Sequence, residues 1–130
     1  MHTERTKSLR ILVVDDEPYV CEAIKMVLEL EGYEVATADN GKAALTLQGK
    51  VPFDLVVTDY AMPDMKGDEL AAALRARNPD QRILMVTAYV ERLTSEGTPL
   101  QHVDDLVAKP FRLEDIRDPV RRLMRRNAAV

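Results

Sequence analysis

A doubly wound α/β sandwich, with a five-stranded parallel sheet covered by helices on both faces, is the fold that this 130-residue sequence predicts. Three observations predict it. Short apolar runs alternate with helical periodicities at short intervals, which implies right-handed βαβ units. The runs are continuously apolar, as strands buried on both faces are. Each of four runs also ends on residues that can do chemistry. Ile11 to Val14 precede Asp15-Asp16, Leu55 to Val57 precede Thr58-Asp59, Ile83 to Val86 precede Thr87, and Leu106 to Ala108 precede Lys109.

Met1 to Ser8 are polar and without periodicity, so residues 1–8 read as a mobile tail and the domain as residues 9–127, with 128–130 as a second tail. After the first strand, Val20, Ile24, Val27 and Leu28 recur at helical spacing, and Gly32 follows as a C-cap signal. Glu34 to Ala38 is the second strand, Gly41 to Gln48 a short helix rich in alanine and leucine, and Asp54 to Thr58 the third strand. Gly67 to Arg77 reads as a helix with Leu70 and Leu74 inward, stopped by Asn78-Pro79-Asp80 before the fourth strand. Asp105 to Ala108 is the fifth strand, and Leu113, Ile116, Val120, Leu123 and Met124 give the last helix its apolar stripe.

Two prolines complicate this pattern. Gly97-Thr98-Pro99 falls inside the segment Glu91 to His102, where a fourth helix belongs. The expectation there is a short element over Glu91 to Glu96, with a second turn opened by Pro99 or else a mobile loop. Pro119 lies inside the last helix, where proline costs about 3 kcal/mol against alanine. The apolar stripe continues past it, so the helix either kinks or breaks, with Asp118 capping a helix that starts at Pro119.

A chain of this length buries roughly 65 to 70% of its unfolded surface and suits one domain. Apolar residues at 46% and charged residues at 31% place it in the ordinary globular class, and a net charge of -4 argues against non-specific nucleic-acid binding. Cys21 is the only cysteine, which excludes an intrachain disulfide and a cysteine-cluster metal site and fits a reducing compartment. No run has transmembrane length and none forms a signal-peptide core, so a cytoplasmic location is expected, with no membrane partner.

In an open parallel sheet, the carboxyl ends of the strands line one crevice. Asp15, Asp16, Asp59, Thr87 and Lys109 are therefore expected to share a pocket of three carboxylates, one hydroxyl and one ammonium. An aspartate carboxylate is a competent nucleophile toward a phosphoryl group. Crowded carboxylates repel an anionic phosphoryl group and tend to hold protons, and a divalent cation resolves both difficulties.

Asp15-Asp16-Glu17-Pro18, Asp59-Tyr60-Ala61-Met62-Pro63 with Gly67, Thr87-Ala88 and Lys109-Pro110-Phe111, in this order and each at a strand end, together resemble a response-regulator receiver domain over about residues 9 to 127. The resemblance implies a flavodoxin-like strand order 2-1-3-4-5. It also implies a phosphoacceptor of two-component signalling, which takes a phosphoryl group from a histidine kinase or phosphotransfer protein onto Asp59 without being an enzyme on other substrates. Magnesium, or manganese in its place, would bind Asp16 and Asp59 directly, Asp15 mainly through a water, and the backbone carbonyl of Ala61. Lys109 and Thr87 would contact phosphoryl oxygens, Thr87 would move inward as a switch, and Ala61 and Tyr89 would tune hydrolysis. The bond at the position of Lys109-Pro110 is often cis in that family, which proline makes tolerable.

One departure concerns the switch. Where receivers usually carry tyrosine or phenylalanine three residues before the lysine, this chain has Leu106, so the expectation is a coupling from Thr87 to the surface that is either weaker or differently built. Leu106, Pro99 and Pro119 all belong to the face spanning about residues 91–126, which receivers use for an output partner or a homodimer. Arg121, Arg122, Arg125 and Arg126 read as a solvated basic end of the last helix rather than a nucleic-acid site, and His2 and His102 lack the spacing of zinc ligands. Three rival readings remain. A receiver-like interaction module that is never phosphorylated would fit Leu106. A metal-dependent phosphohydrolase lacks a general acid, and a flavin module lacks a phosphate loop after the first strand. The sequence leaves open whether the domain stands alone, relays phosphate or belongs to a longer protein.

Overall fold

The computed structural model describes residues 9–95 and 100–128, with side chains through Arg125. Five strands and five helices alternate: β1 (Arg10–Val14), α1 (Pro18–Leu30), β2 (Glu34–Ala38), α2 (Gly41–Lys50), β3 (Leu55–Thr58), α3 (Gly67–Arg77), β4 (Arg82–Thr87), α4 (Val90–Ser95), β5 (Asp105–Ala108) and α5 (Leu113–Ala128). All strands are parallel in the order β2-β1-β3-β4-β5, the order that the resemblance implied.

Strand alternation sorts the core into two layers. Ile11, Val13, Leu55, Val57, Leu84 and Val86 face α1 and α5, where Ile24, Leu28, Ile116, Val120 and Leu123 meet them. Leu12, Val14, Val56 and Ile83 face α2 and α3, where Ala44, Leu70, Ala71 and Leu74 close the other side. Each fully buried leucine, isoleucine or valine contributes roughly 1.5 to 3 kcal/mol, so both faces are firmly held.

Local chemistry fixes the helix ends. Pro18 opens α1, and Gly32 just beyond it has φ 96°, a left-handed conformation that glycine adopts without strain. The Asn40 side chain accepts from the Ala43 amide at 2.8 Å at the start of α2. Asp64, from the loop after β3, adds acceptors for the Gly41 and Lys42 amides at 3.0 and 2.9 Å. These backbone donors, Gly41 first, lower the Asp64 pKa and tie the loop to α2. At the opposite end of the sheet, buried Gln81 donates to the Phe53 carbonyl and accepts from Gln48, both at 3.0 Å.

Among the described residues α4 covers Val90–Ser95, overlapping the element expected over Glu91 to Glu96, while Glu96 and Gly97-Thr98-Pro99 lie outside the described residues, as do residues 1–8. Of the two alternatives at Pro119, the break is excluded, because the proline sits inside one continuous α5; packing of Ile116, Val120, Leu123 and Met124 outweighs the lost amide bond. Two expectations need correction. Leu113 is not part of the buried stripe but is exposed at the first residue of α5. Ala128, read as tail, is the last residue of α5. No helix among the described residues is long and apolar enough to cross a membrane.

Candidate functional site

The parallel sheet delivers the strand ends to one rim. Val14 pairs with Thr58, and Thr87 with Ala108, so the residues that follow emerge side by side. Asp15, Asp16 and Asp59 each place a carboxylate oxygen within 4.8 Å of the other two. Lys109 reaches in from the end of β5, with Nζ 2.8 Å from Asp15 Oδ2 and 3.4 Å from Asp59 Oδ2. Asp15 is 2% exposed and Asp59 6%, whereas Asp16 is open to solvent.

The carboxylates are held in different ways. Asp15 Oδ1 accepts from the Glu17 amide at 2.9 Å while its Oδ2 accepts from Lys109, so both oxygens are engaged. Asp59 Oδ1 accepts from the Tyr60 amide at 2.7 Å, which leaves Oδ2 on the Lys109 side. Burial, then the charge of Asp15, raises the Asp59 pKa despite Lys109 and the Tyr60 amide. Burial works against the Lys109 ammonium, but its hydrogen bond to Asp15 and the charges of Asp15, Asp59 and Glu17 outweigh that and raise its pKa. The site thus carries more negative charge than one lysine offsets. Its hard oxygen donors, clustered within one small ion's reach, suit a magnesium-type cation.

Close approach of backbone to backbone supports the nucleophile's loop. The Gly67 amide donates to the Tyr60 carbonyl at 2.7 Å, and a Cβ on Gly67 would overlap the Asp59 carbonyl oxygen and lie 2.9 Å from Tyr60 Cα. Only glycine fits between these groups.

The remaining expected residues occupy distinct places. Thr87 is buried, and its Oγ1 accepts from the Tyr89 amide at 3.1 Å. Ala61 and Tyr89, with Ala88, line the mouth beside Asp16, Glu17, Asp59 and Lys109, a cavity of about 280 Å³. Leu106 is in register with Met85, two residues before Thr87, and lines a separate groove between β5 and α5 with Pro110 and Pro119. The Lys109-Pro110 bond is cis. Arg121 pairs with Glu31 and Arg122 with Asp105, so these two arginines brace α5 against its neighbours rather than being merely solvated.

Sequence reasoning missed two features. Glu17, quoted only as part of a motif, brings Oε1 to 3.5 Å from Lys109 Nζ. Tyr60, adjacent to Asp59, sets its ring edge-on to Tyr89 at 6.4 Å between centroids. Lys66 lies 5.5 Å from the Tyr60 ring and Arg92 5.9 Å from the Tyr89 ring. The adjacency to Asp59 was visible, but the partner ring across the loop was not.

Comparison with known proteins agrees with this geometry. Residues 11–121 match the family model described as response regulator receiver domain. The probable transcriptional regulatory protein TcrX of Mycobacterium tuberculosis is 37% identical over 122 residues, covering 89% of this chain and 50% of TcrX. The DNA-binding response regulator MtrA of Mycolicibacterium smegmatis is 36% identical, covering 94% of this chain and 53% of MtrA. The chain therefore spans about half the length of the curated relatives it matches. Among solved structures, the response regulator TrrA of Thermotoga maritima, crystallised in complex with Mg(2+)-BeF, superposes with a TM-score of 0.77 at 38% identity, covering 88% of this chain and 98% of TrrA. A CheY-like receiver domain protein of Methanospirillum hungatei superposes with a TM-score of 0.87 at 28% identity, covering 95% of this chain and 98% of that one.

Proposed function

The chain belongs to the response regulator receiver domain family of two-component signalling, and from that premise we propose that Asp59 is its phosphoacceptor, charged by a histidine kinase or phosphotransfer protein in the cytoplasm. The observation that carries the reading is the convergence of Asp15, Asp16, Asp59 and Lys109 on one mouth, with the least solvated pair facing a lysine.

Asp59 acts as nucleophile. Its oxygen bonds to the donor phosphorus while the phosphorus–nitrogen bond to histidine breaks, and the bond electrons leave with the imidazole. The Tyr60 amide pins one Asp59 oxygen and so orients the carboxylate, an entropy saving made before the donor arrives. Lys109 places a positive charge where phosphoryl oxygens gather, and the Thr87 hydroxyl, buried beside it at the sheet rim, supplies a further donor. Asp16 and Asp59 would hold magnesium directly, with the Ala61 carbonyl. Both Asp15 oxygens are engaged, which suits an indirect role through water. The ion, when bound, offsets the repulsion between the carboxylates and the incoming phosphoryl group. TrrA's complex with Mg(2+)-BeF supports the same assignment.

A donor that reaches Asp59 must cover the ground beside it. There the first turn of α1 exposes Tyr19, two residues beyond Glu17, and Met26 and Leu30 are exposed farther along the same helix. The output contacts, whether with a partner or a second copy, lie on the face spanning about residues 91–126. There the groove around Leu106 is lined by Asp105, Glu114, Asp115 and Asp118 as well as by apolar groups. Intact mass after incubation with magnesium and a small-molecule phosphodonor tests the reading. A gain of one phosphoryl group in the wild type but not in Asp59→Asn supports it. No gain under any condition would instead favour an interaction module that is never phosphorylated.

A further inference from the structure

The Tyr60 ring has no part in the transfer step, yet it stands next to the mouth on a firmly held stretch of backbone. Its backbone is fixed twice, by the amide's bond to Asp59 Oδ1 and by the Gly67 amide on its carbonyl, both 2.7 Å. Tyr89 is the opposite case. It is 40% exposed, lies in the turn before α4, and its amide is held by the Thr87 hydroxyl. If Thr87 turns its hydroxyl toward a phosphoryl oxygen, the Tyr89 amide loses that acceptor at the moment an acyl phosphate exists. The Leu93 amide still holds the Tyr89 carbonyl at 2.9 Å, but the ring itself is then placed by its edge-to-face contact with Tyr60, backed by Arg92 on Tyr89 and Lys66 on Tyr60.

We propose that Tyr60 is a positioning residue that sets the lifetime of the acyl phosphate by holding the Tyr89 ring at the mouth of the Asp59 pocket, where it screens water. The inference rests on Asp59 being the phosphoacceptor. The step it controls is hydrolysis. A water oxygen bonds to phosphorus as the bond from phosphorus to the Asp59 oxygen breaks, the electron pair returns to the carboxylate, and inorganic phosphate leaves with the water's protons shared between it and solvent. Tyr89 is common to the mouth cavity and to a second pocket of about 190 Å³ that Tyr60, Lys66 and Leu93 line. A ring released from Tyr60 can therefore swing away from the phosphoryl group.

Loading the protein with magnesium and acetyl phosphate, removing the donor and following intact mass over time tests this. Tyr60→Ala and Tyr60→Leu should lose phosphate about two- to tenfold faster than wild type, the population weight of one aromatic pair. Tyr60→Phe should decay as wild type does, because the ring contact needs no hydroxyl. Tyr60→Ala combined with Tyr89→Ala should decay no faster than Tyr89→Ala alone, which a general loosening of the site would not produce. Equal lifetimes for wild type and Tyr60→Ala, or additive effects of the two alanines, would overturn the proposal. A wild type that never gains phosphate would overturn the phosphoacceptor reading itself, and is distinguished by the absence of any loaded species.

Discussion

Asp59→Asn should make the metal-free protein more stable, although it removes the residue on which the function turns. Asp59 Oδ2 is 3.4 Å from the Lys109 ammonium, an attraction of about 5 kcal/mol at an effective dielectric constant of about 20. Oxygens of Asp15 and Asp16 within 4.8 Å each oppose it by at least about 3.5 kcal/mol, the exposed Asp16 less after solvent screening. The charges alone leave Asp59 near balance or slightly repelled, and desolvating a carboxylate that is 6% exposed adds the decisive cost. Asparagine keeps an acceptor for the Tyr60 amide and nearly the same volume. The expected gain is about 2 kcal/mol at neutral pH, roughly 6 to 10 °C in melting temperature for a domain of this size.

The sign with pH follows from the raised Asp59 pKa. Above 3.8 the unfolded chain releases this proton before the folded one does, so wild-type stability falls as pH rises from there through the folded value. The advantage of Asp59→Asn is therefore full at neutral pH and vanishes below about 3.8. Urea titrations in chelator at several pH values measure it. Magnesium at about 100 times its dissociation constant should return about 2.7 kcal/mol to the wild type and less to the variant. An asparagine variant less stable than wild type in chelator at neutral pH would refute the electrostatic account.

Three further outcomes follow from the same structure. Gly67→Ala should cost about 1 to 3 kcal/mol by urea unfolding and slow phosphoryl loading, because its Cβ has no space beside the Asp59 carbonyl and Tyr60. Gln81→Ala should cost about 2 to 3 kcal/mol without slowing loading, since it orphans the buried Phe53 carbonyl at the far end of the sheet. Burial and Asp15 push the Cys21 thiol from 9.0 up to about 11, so the native protein should resist alkylation until it opens. Its stability should also fall as pH rises across that interval, with a slope that Cys21→Ala makes shallower.

Much of this was legible before any coordinates. Continuous apolar runs such as Ile11 to Val14 and Ile83 to Val86 fixed the buried strands, because hydrophobic period depends only on local sequence. The carboxylate trio was readable because a parallel sheet sends every strand's carboxyl end to one rim. Pro119 was not resolved, since local propensity counted against the helix while the decisive term was tertiary packing of Val120 and Leu123. Leu113 was misjudged because period alone does not tell where along a helix the covered stretch begins. The Tyr60–Tyr89 contact lay out of reach for a related reason: two loops far apart in sequence meet only once the strand order is known.

The most direct test of the account is to locate the phosphoryl group. Protein loaded with magnesium and a phosphodonor is reduced with borohydride, which converts an acyl phosphate to homoserine, and the tryptic peptide 51–66 is fragmented; it carries Asp54, Asp59 and Asp64, so position must be resolved. Homoserine at position 59 alone is the predicted result. Homoserine at 54 or 64, or an unmodified peptide from a protein that had gained phosphate, would contradict Asp59 as the acceptor.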